Sequence, residues 1–242
     1  TRLMTTYALV HGAWHGAWCW ARVLPLLRTA GHTAHAVTLT GVGERAHLLA
    51  RSITLDTHVV DVVNLVCCEE LDEVILVGHS YGGLVITGAV DRLLARRPPM
   101  CVKHLVYVDA VVPHPGESWA THHAPALVAT RLAAAAAHPQ GALPPPDALL
   151  FGLTGADCDW VNRRQTPHPF DHYQEPLQFD AARLAGVPHT FIDCTTPAWP
   201  SIAPMRQRVR SEPGWRVREL ATGHDAMVSA PGPLARLLLE AV

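Results

Sequence analysis

The chain has 242 residues, of which 49% are hydrophobic and only 17% charged, and its 19 basic and 21 acidic residues leave a net charge of −2. That length supports one large domain with a full hydrophobic core, and the near-neutral balance argues against a nucleic-acid partner. No 18-residue apolar run and no basic segment leading into an apolar one is present, which argues against a membrane span or signal peptide and leads us to expect a soluble, cytoplasmic protein.

In chain order, residues 7–10 predict a strand. Apolar residues at helical spacing over 18–29 (Val23, Leu24, Leu26, Leu27) predict a helix stopped by Gly31. Residues 32–39 read as a second strand. Asp56 is placed to cap a helix through Val66, in which Val59, Val62, Val63 and Val66 share a stripe, and residues 73–77 follow as a buried strand. A helix over 81–97 stops at Pro98 and Pro99, and a strand over 103–108 comes next. Strand, turn and helix in repetition point to a parallel sheet covered by helices on both faces. From 113 to 186 the rhythm breaks, with alanines at 133–137 and prolines at 144–146. This stretch reads as an inserted, mostly helical cap, with residues 1–112 and 187–242 as the core. The rhythm then resumes with a strand over 190–194, a helix near 202–210, an alternating strand over 215–220 and a last helix from Pro233.

Gly78-His79-Ser80-Tyr81-Gly82-Gly83 follows the apolar run from Val74 to Val77 and opens the next helix. G-x-S-x-G in that setting is a nucleophile elbow. The serine takes a strained backbone conformation on a sharp turn, the glycines admit chains that a Cβ would block, and Oγ is presented at the C-terminal edge of the sheet. The six cysteines form no C-x-x-C pair, which favours free thiols in a reducing compartment.

Three further segments accompany the elbow: the run from Leu9 through His11-Gly12-Ala13-Trp14-His15-Gly16 to Trp18, the run from Leu39 through Gly41-Val42-Gly43-Glu44 to His47, and Tyr107-Val108-Asp109-Ala110. Together they resemble the α/β-hydrolase family, in particular its branch of plant methyl esterases and hydroxynitrile lyases, over roughly residues 6–117 and 188–242. The resemblance implies an α/β fold with a mostly parallel sheet of about six strands, flanking helices and an inserted helical cap. It implies a serine hydrolase without a cofactor, with the Ala13 and Tyr81 backbone N–H groups as the oxyanion hole and His11-Gly12 marking the oxyanion loop. Because the partners follow in the order Ser, acid, His, it also implies His224, just past the strand at 215–220, as general base. His79 reads as a packing position. Gly12, His15 and Trp119 are candidate pocket residues, with Trp160 and Phe170 as further candidate walls. His168 and His172 have the spacing of a metal pair, but Pro169 between them argues against one helix presenting both, so no metal is expected.

The acid departs from the family pattern. Related esterases carry an aspartate shortly after the strand that here ends at Cys194, whereas this chain has Thr195-Thr196-Pro197-Ala198-Trp199-Pro200 and no carboxylate between Asp193 and Glu212. Asp109, at the end of the strand over 103–108, is the leading substitute, since some relatives place their acid there. Asp193 is the rival, and a structural capping role for Asp109 stays open. The leading expectation is a serine esterase for a small, largely apolar ester, methyl esters included. The alternative is a hydroxynitrile lyase or another C–C cleaving enzyme. Against it, Gly12 and Asp225 stand where the resembling lyases carry a threonine and a lysine, and the single lysine, Lys103, starts a strand. A non-catalytic ligand-binding protein is the third reading. The expected partner is a small-molecule ester, with neither nucleic acid nor membrane, and a homodimer is left open.

Overall fold

The computed structural model describes residues 4–96 and 98–241. Thr1 to Leu3, Arg97 and Val242, which the expected bounds include, lie outside the described residues. In chain order the strands are β1 (Thr6–Val10), β2 (Thr33–Val37), β3 (Val74–His79), β4 (Val102–Val108), β5 (Ala142–Leu143), β6 (His168–Pro169), β7 (His189–Cys194) and β8 (Trp215–Leu220). Six of them form one wholly parallel sheet in the order β2-β1-β3-β4-β7-β8, and β5 pairs with β6 separately. Helices cover both faces of a parallel sheet, so its inner strands read as unbroken apolar runs. β3 is buried at all six positions, while the edge strand β8 alternates between half-buried and exposed.

The helices are α1 (Leu24–Thr29), α2 (Leu55–Cys68), α3 (Gly82–Ala95), α4 (Pro125–Ala136), α5 (Gly155–Asn162), α6 (Ala181–Leu184), α7 (Ala203–Ser211), α8 (Ala226–Ser229) and α9 (Pro231–Glu240). Three expectations are corrected. The helix expected over 18–29 divides into a 3-10 turn at Ala17–Trp20 and α1, because Pro25 lacks the N–H that a continuous helix needs and fits only its first turn. The cap of α2 is Thr54 rather than Asp56: Thr54 Oγ1 accepts the Thr57 N–H, and Thr57 Oγ1 accepts the Thr54 N–H, each at 3.1 Å. Asp56 instead sits in the first turn, where its charge meets the positive end of the helix dipole. Finally, residues 113–186 are less helical than expected, with helices of only 12, 8 and 4 residues beside the β5–β6 pair.

The chain runs from β1 to β2 on one side and then crosses to β3 on the other. The loops after β1 and β3 therefore part around a crevice at the C-terminal ends of the strands, the place where open α/β sheets bind ligands. No helix among the described residues is long and apolar enough to cross a membrane.

Candidate active site

Ser80 joins β3 to α3 with φ of +53°, a left-handed conformation that non-glycine residues rarely adopt. Neighbouring chain holds it there: the Ser80 N–H donates to the Val108 carbonyl at 3.2 Å, and the Ser80 carbonyl accepts the Val111 N–H at 2.9 Å. A Cβ on Gly83 would stand 2.0 Å from the Val111 carbonyl oxygen, so glycine is required for this approach. The same argument places the loop after β1 against the nucleophile, since a Cβ on Gly12 would meet Ser80 Cβ at 2.8 Å.

Ser80, His224 and Asp109 come together from the ends of β3, β8 and β4. The Ser80 hydroxyl donates to His224 Nε2 at 3.0 Å, and His224 Nδ1–H donates to Asp109 Oδ2 at 2.6 Å. Asp109 is fully buried with φ of +42°. Its other oxygen, Oδ1, accepts from Arg206 Nη2 at 2.7 Å. The rival acid, Asp193, points elsewhere: Arg206 Nε donates to its Oδ1, and Arg210 Nη2 to its Oδ2 at 2.6 Å. Arg206 and Arg210 lie one turn apart on α7 and so reach the same carboxylate.

The remaining candidates divide. His11 Nδ1–H donates to the Gly12 carbonyl at 2.7 Å while Nε2 accepts the Leu39 N–H at 3.1 Å, so the ring braces the loop as a neutral imidazole. Burial pushes its pKa down to about 3. His79 donates from Nε2 to the His224 carbonyl at 2.9 Å and packs its ring 4.6 Å from that of His224. His15 does not line the cavity above Ser80. Its two ring nitrogens donate to the Ala13 carbonyl at 2.7 Å and to Asp225 Oδ2 at 2.8 Å, in a pair that is almost wholly buried. Burial opposes a charge on His15, yet the Asp225 carboxylate outweighs it and raises the His15 pKa. Gly12 supports the nucleophile without lining the cavity. Trp119 does line it, whereas Phe170 packs behind Trp119 and Trp160 packs against Trp18.

That cavity measures about 20 Å³ and is walled mainly by Trp14, Trp119, Phe151, Trp199 and Ile202, with His123 and Arg131 at its edge. Trp14, Arg131, Trp199 and Ser201 also line an adjoining, largely apolar cleft of about 360 Å³. Of these residues only Trp119 stands out in the sequence. Arg206 was also legible in principle, because two carboxylates buried at the ends of adjacent strands require a cation, and α7 carries arginines at 206, 208 and 210.

Residues 8–237 match the Alpha/beta hydrolase family. The chain belongs to the α/β-hydrolase family. It is 40% identical to a carbendazim hydrolyzing esterase of Nocardioides sp. (strain SG-4G), over 97% of this chain and 98% of that one. It is 35% identical to methylesterase 2 of Arabidopsis thaliana, over 52% of this chain and 45% of the plant protein. Among solved structures, an extracellular α/β-hydrolase from a Paenibacillus species superposes with a TM-score of 0.84 at 23% identity, over 98% of both chains, which supports the fold.

Proposed function

We propose that this α/β-hydrolase is a serine esterase acting on a small, largely apolar ester through an acyl-enzyme on Ser80. The observation that carries the reading is the unbroken chain Ser80–His224–Asp109, at 3.0 and 2.6 Å. In it His224 Nε2 is the only acceptor needed for the Ser80 proton, and the Asp109 carboxylate holds the other nitrogen protonated and stabilises the imidazolium that forms. Ser80 Oγ attacks the ester carbonyl, and the oxyanion is received by the Ala13 and Tyr81 backbone N–H groups. His224 then returns its proton to the departing alcohol, and the same base activates a water that releases the acid. These steps need only side chains and backbone donors.

The cavity of about 20 Å³ at Ser80 holds about one water-sized group, so the part of the ester received there is small, which favours a methyl ester. The rest of the substrate would occupy the apolar cleft beside Trp14 and Trp199. Residues 113–186 serve as the lid in this reading, since Trp119, His123, Arg131 and Phe151 from that segment close over Ser80. The six free cysteines fit a cytoplasmic setting. The lyase reading is disfavoured: Asp225 is committed to His15, and Lys103 Nζ pairs with Glu73 at 3.0 Å at the opposite end of the sheet from Asp109.

The test is turnover of p-nitrophenyl acetate, aromatic methyl esters and carbendazim by wild type and Ser80→Ala. A loss of roughly 10⁴-fold or more in kcat is expected in the variant. Equal rates, or cyanide release from mandelonitrile outpacing ester turnover, would overturn the reading.

A further inference from the structure

Behind the Tyr81 side of the elbow lie three histidines from separate pieces of chain. His58 belongs to α2, His168 to β6, and His172 to the turn that follows β6. Pro169 keeps the last two off a common helix, but the turn brings both against His58. All three are buried, at 0%, 0% and 3% exposure. One ring nitrogen from each lies within 4.8 Å of the other two. The ring centroids form a nearly equilateral triangle of 5.4, 5.6 and 5.8 Å.

Those lengths have a chemical meaning. Three imidazoles on one tetrahedral ion, with metal–nitrogen bonds of about 2.05 Å, hold their ring centroids about 5.2 Å apart. The triangle is within about half an ångström of that size on every side. A fourth group completes the cage, because the Tyr81 hydroxyl lies 2.9 Å from His58 Nδ1 and 3.0 Å from His172 Nε2.

Two features point to a missing occupant. His58 Nε2–H donates outward to the Thr40 carbonyl at 2.9 Å, so Nδ1 turns its lone pair to the cluster, where it accepts the Tyr81 O–H at 2.9 Å. An outer N–H held by a backbone carbonyl is how metal-bound imidazoles are oriented. In addition, His168 Nε2 is buried with no hydrogen-bond partner among the described residues, a costly arrangement for a polar atom.

We propose that His58, His168 and His172, with the Tyr81 hydroxyl oxygen in the fourth position, bind one divalent ion of the zinc type. Three imidazoles and one oxygen, without a thiolate, suit zinc, nickel or cobalt better than calcium or magnesium. On binding, Tyr81 gives up its hydroxyl proton to solvent and coordinates as the phenolate. With all four positions filled by protein the site is a closed, structural one. It joins α2 and the start of α3 to the segment carrying His168 and His172, and so clips the proposed lid to the core. The reacting groups of Ser80 and His224 are separate from it.

The test uses untagged full-length protein, so that no affinity tag supplies histidines. After growth with zinc and gel filtration, elemental analysis should find about one zinc per chain. A strong chelator should lower Tm by about 5 °C or more, and added zinc should restore it. His168→Gln should abolish both effects, while His47→Gln, on an exposed turn, should keep them. Cobalt(II) added to the chelated native chain should give the visible absorption of a tetrahedral site, a readout independent of whether any variant folds. Zinc far below one per chain with no Tm response and no such absorption would overturn the proposal, as would equal zinc binding by His168→Gln.

Discussion

Arg206 Nη2 lies 2.7 Å from Asp109 Oδ1, while Oδ2 of the same carboxylate takes the His224 Nδ1–H at 2.6 Å. Both oxygens of the proposed triad acid are thus engaged, and its plane is fixed by a guanidinium that also holds Asp193 and the carbonyls of Cys194 and Trp199. Arg206 positions the acid and also places a positive charge one carboxylate away from His224. Arg206→Gln is expected to lower kcat/KM by about tenfold or more, the usual cost of losing such a support. Arg206→Lys should recover part of that loss, because an ammonium restores the charge without the bidentate fork. A purely structural arginine would reduce the active fraction in both variants, counted by active-site titration, and leave kcat per active site unchanged.

The acid assignment has its own test. Asp109→Asn keeps the shape but removes the charge and the tautomer control, and kcat is expected to fall by about 10⁴. Asp193→Asn should stay within about tenfold of wild type, because among the described residues the Asp193 carboxylate pairs with arginines and not with His224. Esterase kinetics on both variants, with circular dichroism to confirm folding, decide between them. The reverse order of effects would transfer the role to Asp193.

The parts of this site that were legible in the sequence share a physical property: their constraints are local. An elbow must place glycines within a few residues of Ser80, so spacing reveals it, while the proposed base His224 is implied by the family resemblance, in which the base follows the last strand. Asp109 also came through the resemblance, since the loop after β7 lacks a carboxylate and some relatives place their acid at the end of the strand that is β4 here. Arg206 and His58 were not singled out, because what distinguishes them is their partners 97 and 23 residues away, Asp109 and Tyr81. The 113–186 segment was legible as an interruption and not as a shape. Its walls are set by packing between Trp14, Trp119 and Phe151 across the crevice, which leaves no periodic trace. Thr54 in place of Asp56 shows how the presence of two plausible caps two residues apart is settled by the helix's first hydrogen bonds.

The buried His15–Asp225 pair predicts a pH dependence of stability. Burial opposes the charge on His15, but Asp225 outweighs it and raises the His15 pKa above its ordinary value of 6.5. Its contribution is therefore complete below pH 6.5 and is lost as pH rises from there through the raised value. The Asp225 pKa falls below 3.8 despite burial because of His15, so its contribution is complete above pH 3.8 and is lost as pH falls through the lowered value. Asp225→Ala should cost about 3–5 kcal/mol at pH 6, since it strands a buried charge. Urea unfolding at pH 6 and pH 9 should show that cost shrinking at the higher pH. A cost independent of pH would mean that His15 is neutral throughout.

Other buried histidines act with the opposite sign. His11 is held to about 3 and His104 to about 4, each chiefly by burial, and His79 lies well below its ordinary value for the same reason. The unfolded chain takes up these protons near pH 6.5 and the folded chain does not, so stability falls as pH drops below 6.5. Each site contributes about 1.4 kcal/mol per pH unit. Acid unfolding followed by circular dichroism is expected to have its midpoint near pH 5, above the range in which carboxylates titrate. A midpoint below pH 4 would contradict the neutral state of these three rings.

The last prediction concerns size selection. Phe151 packs against Trp14, Trp199 and His224, with ring centroids 6.1, 5.3 and 5.7 Å away, and so forms part of the wall of the catalytic cavity. At about 20 Å³ the inner space admits little beyond the reacting carbonyl, whereas the cleft of about 360 Å³ next to it is largely apolar. Phe151→Ala removes a benzyl-sized volume from the wall of the inner space and enlarges it. Extra methylenes in an apolar pocket are worth about 1–3 kcal/mol each in discrimination, so the kcat/KM ratio for p-nitrophenyl butyrate over acetate should rise about tenfold or more. The same variant should lose stability by about 3–5 kcal/mol if the walls do not collapse into the space. The two readouts separate the outcomes: collapse would give a smaller stability loss and an unchanged ratio, and it would show that selection at Ser80 is set by residues other than Phe151.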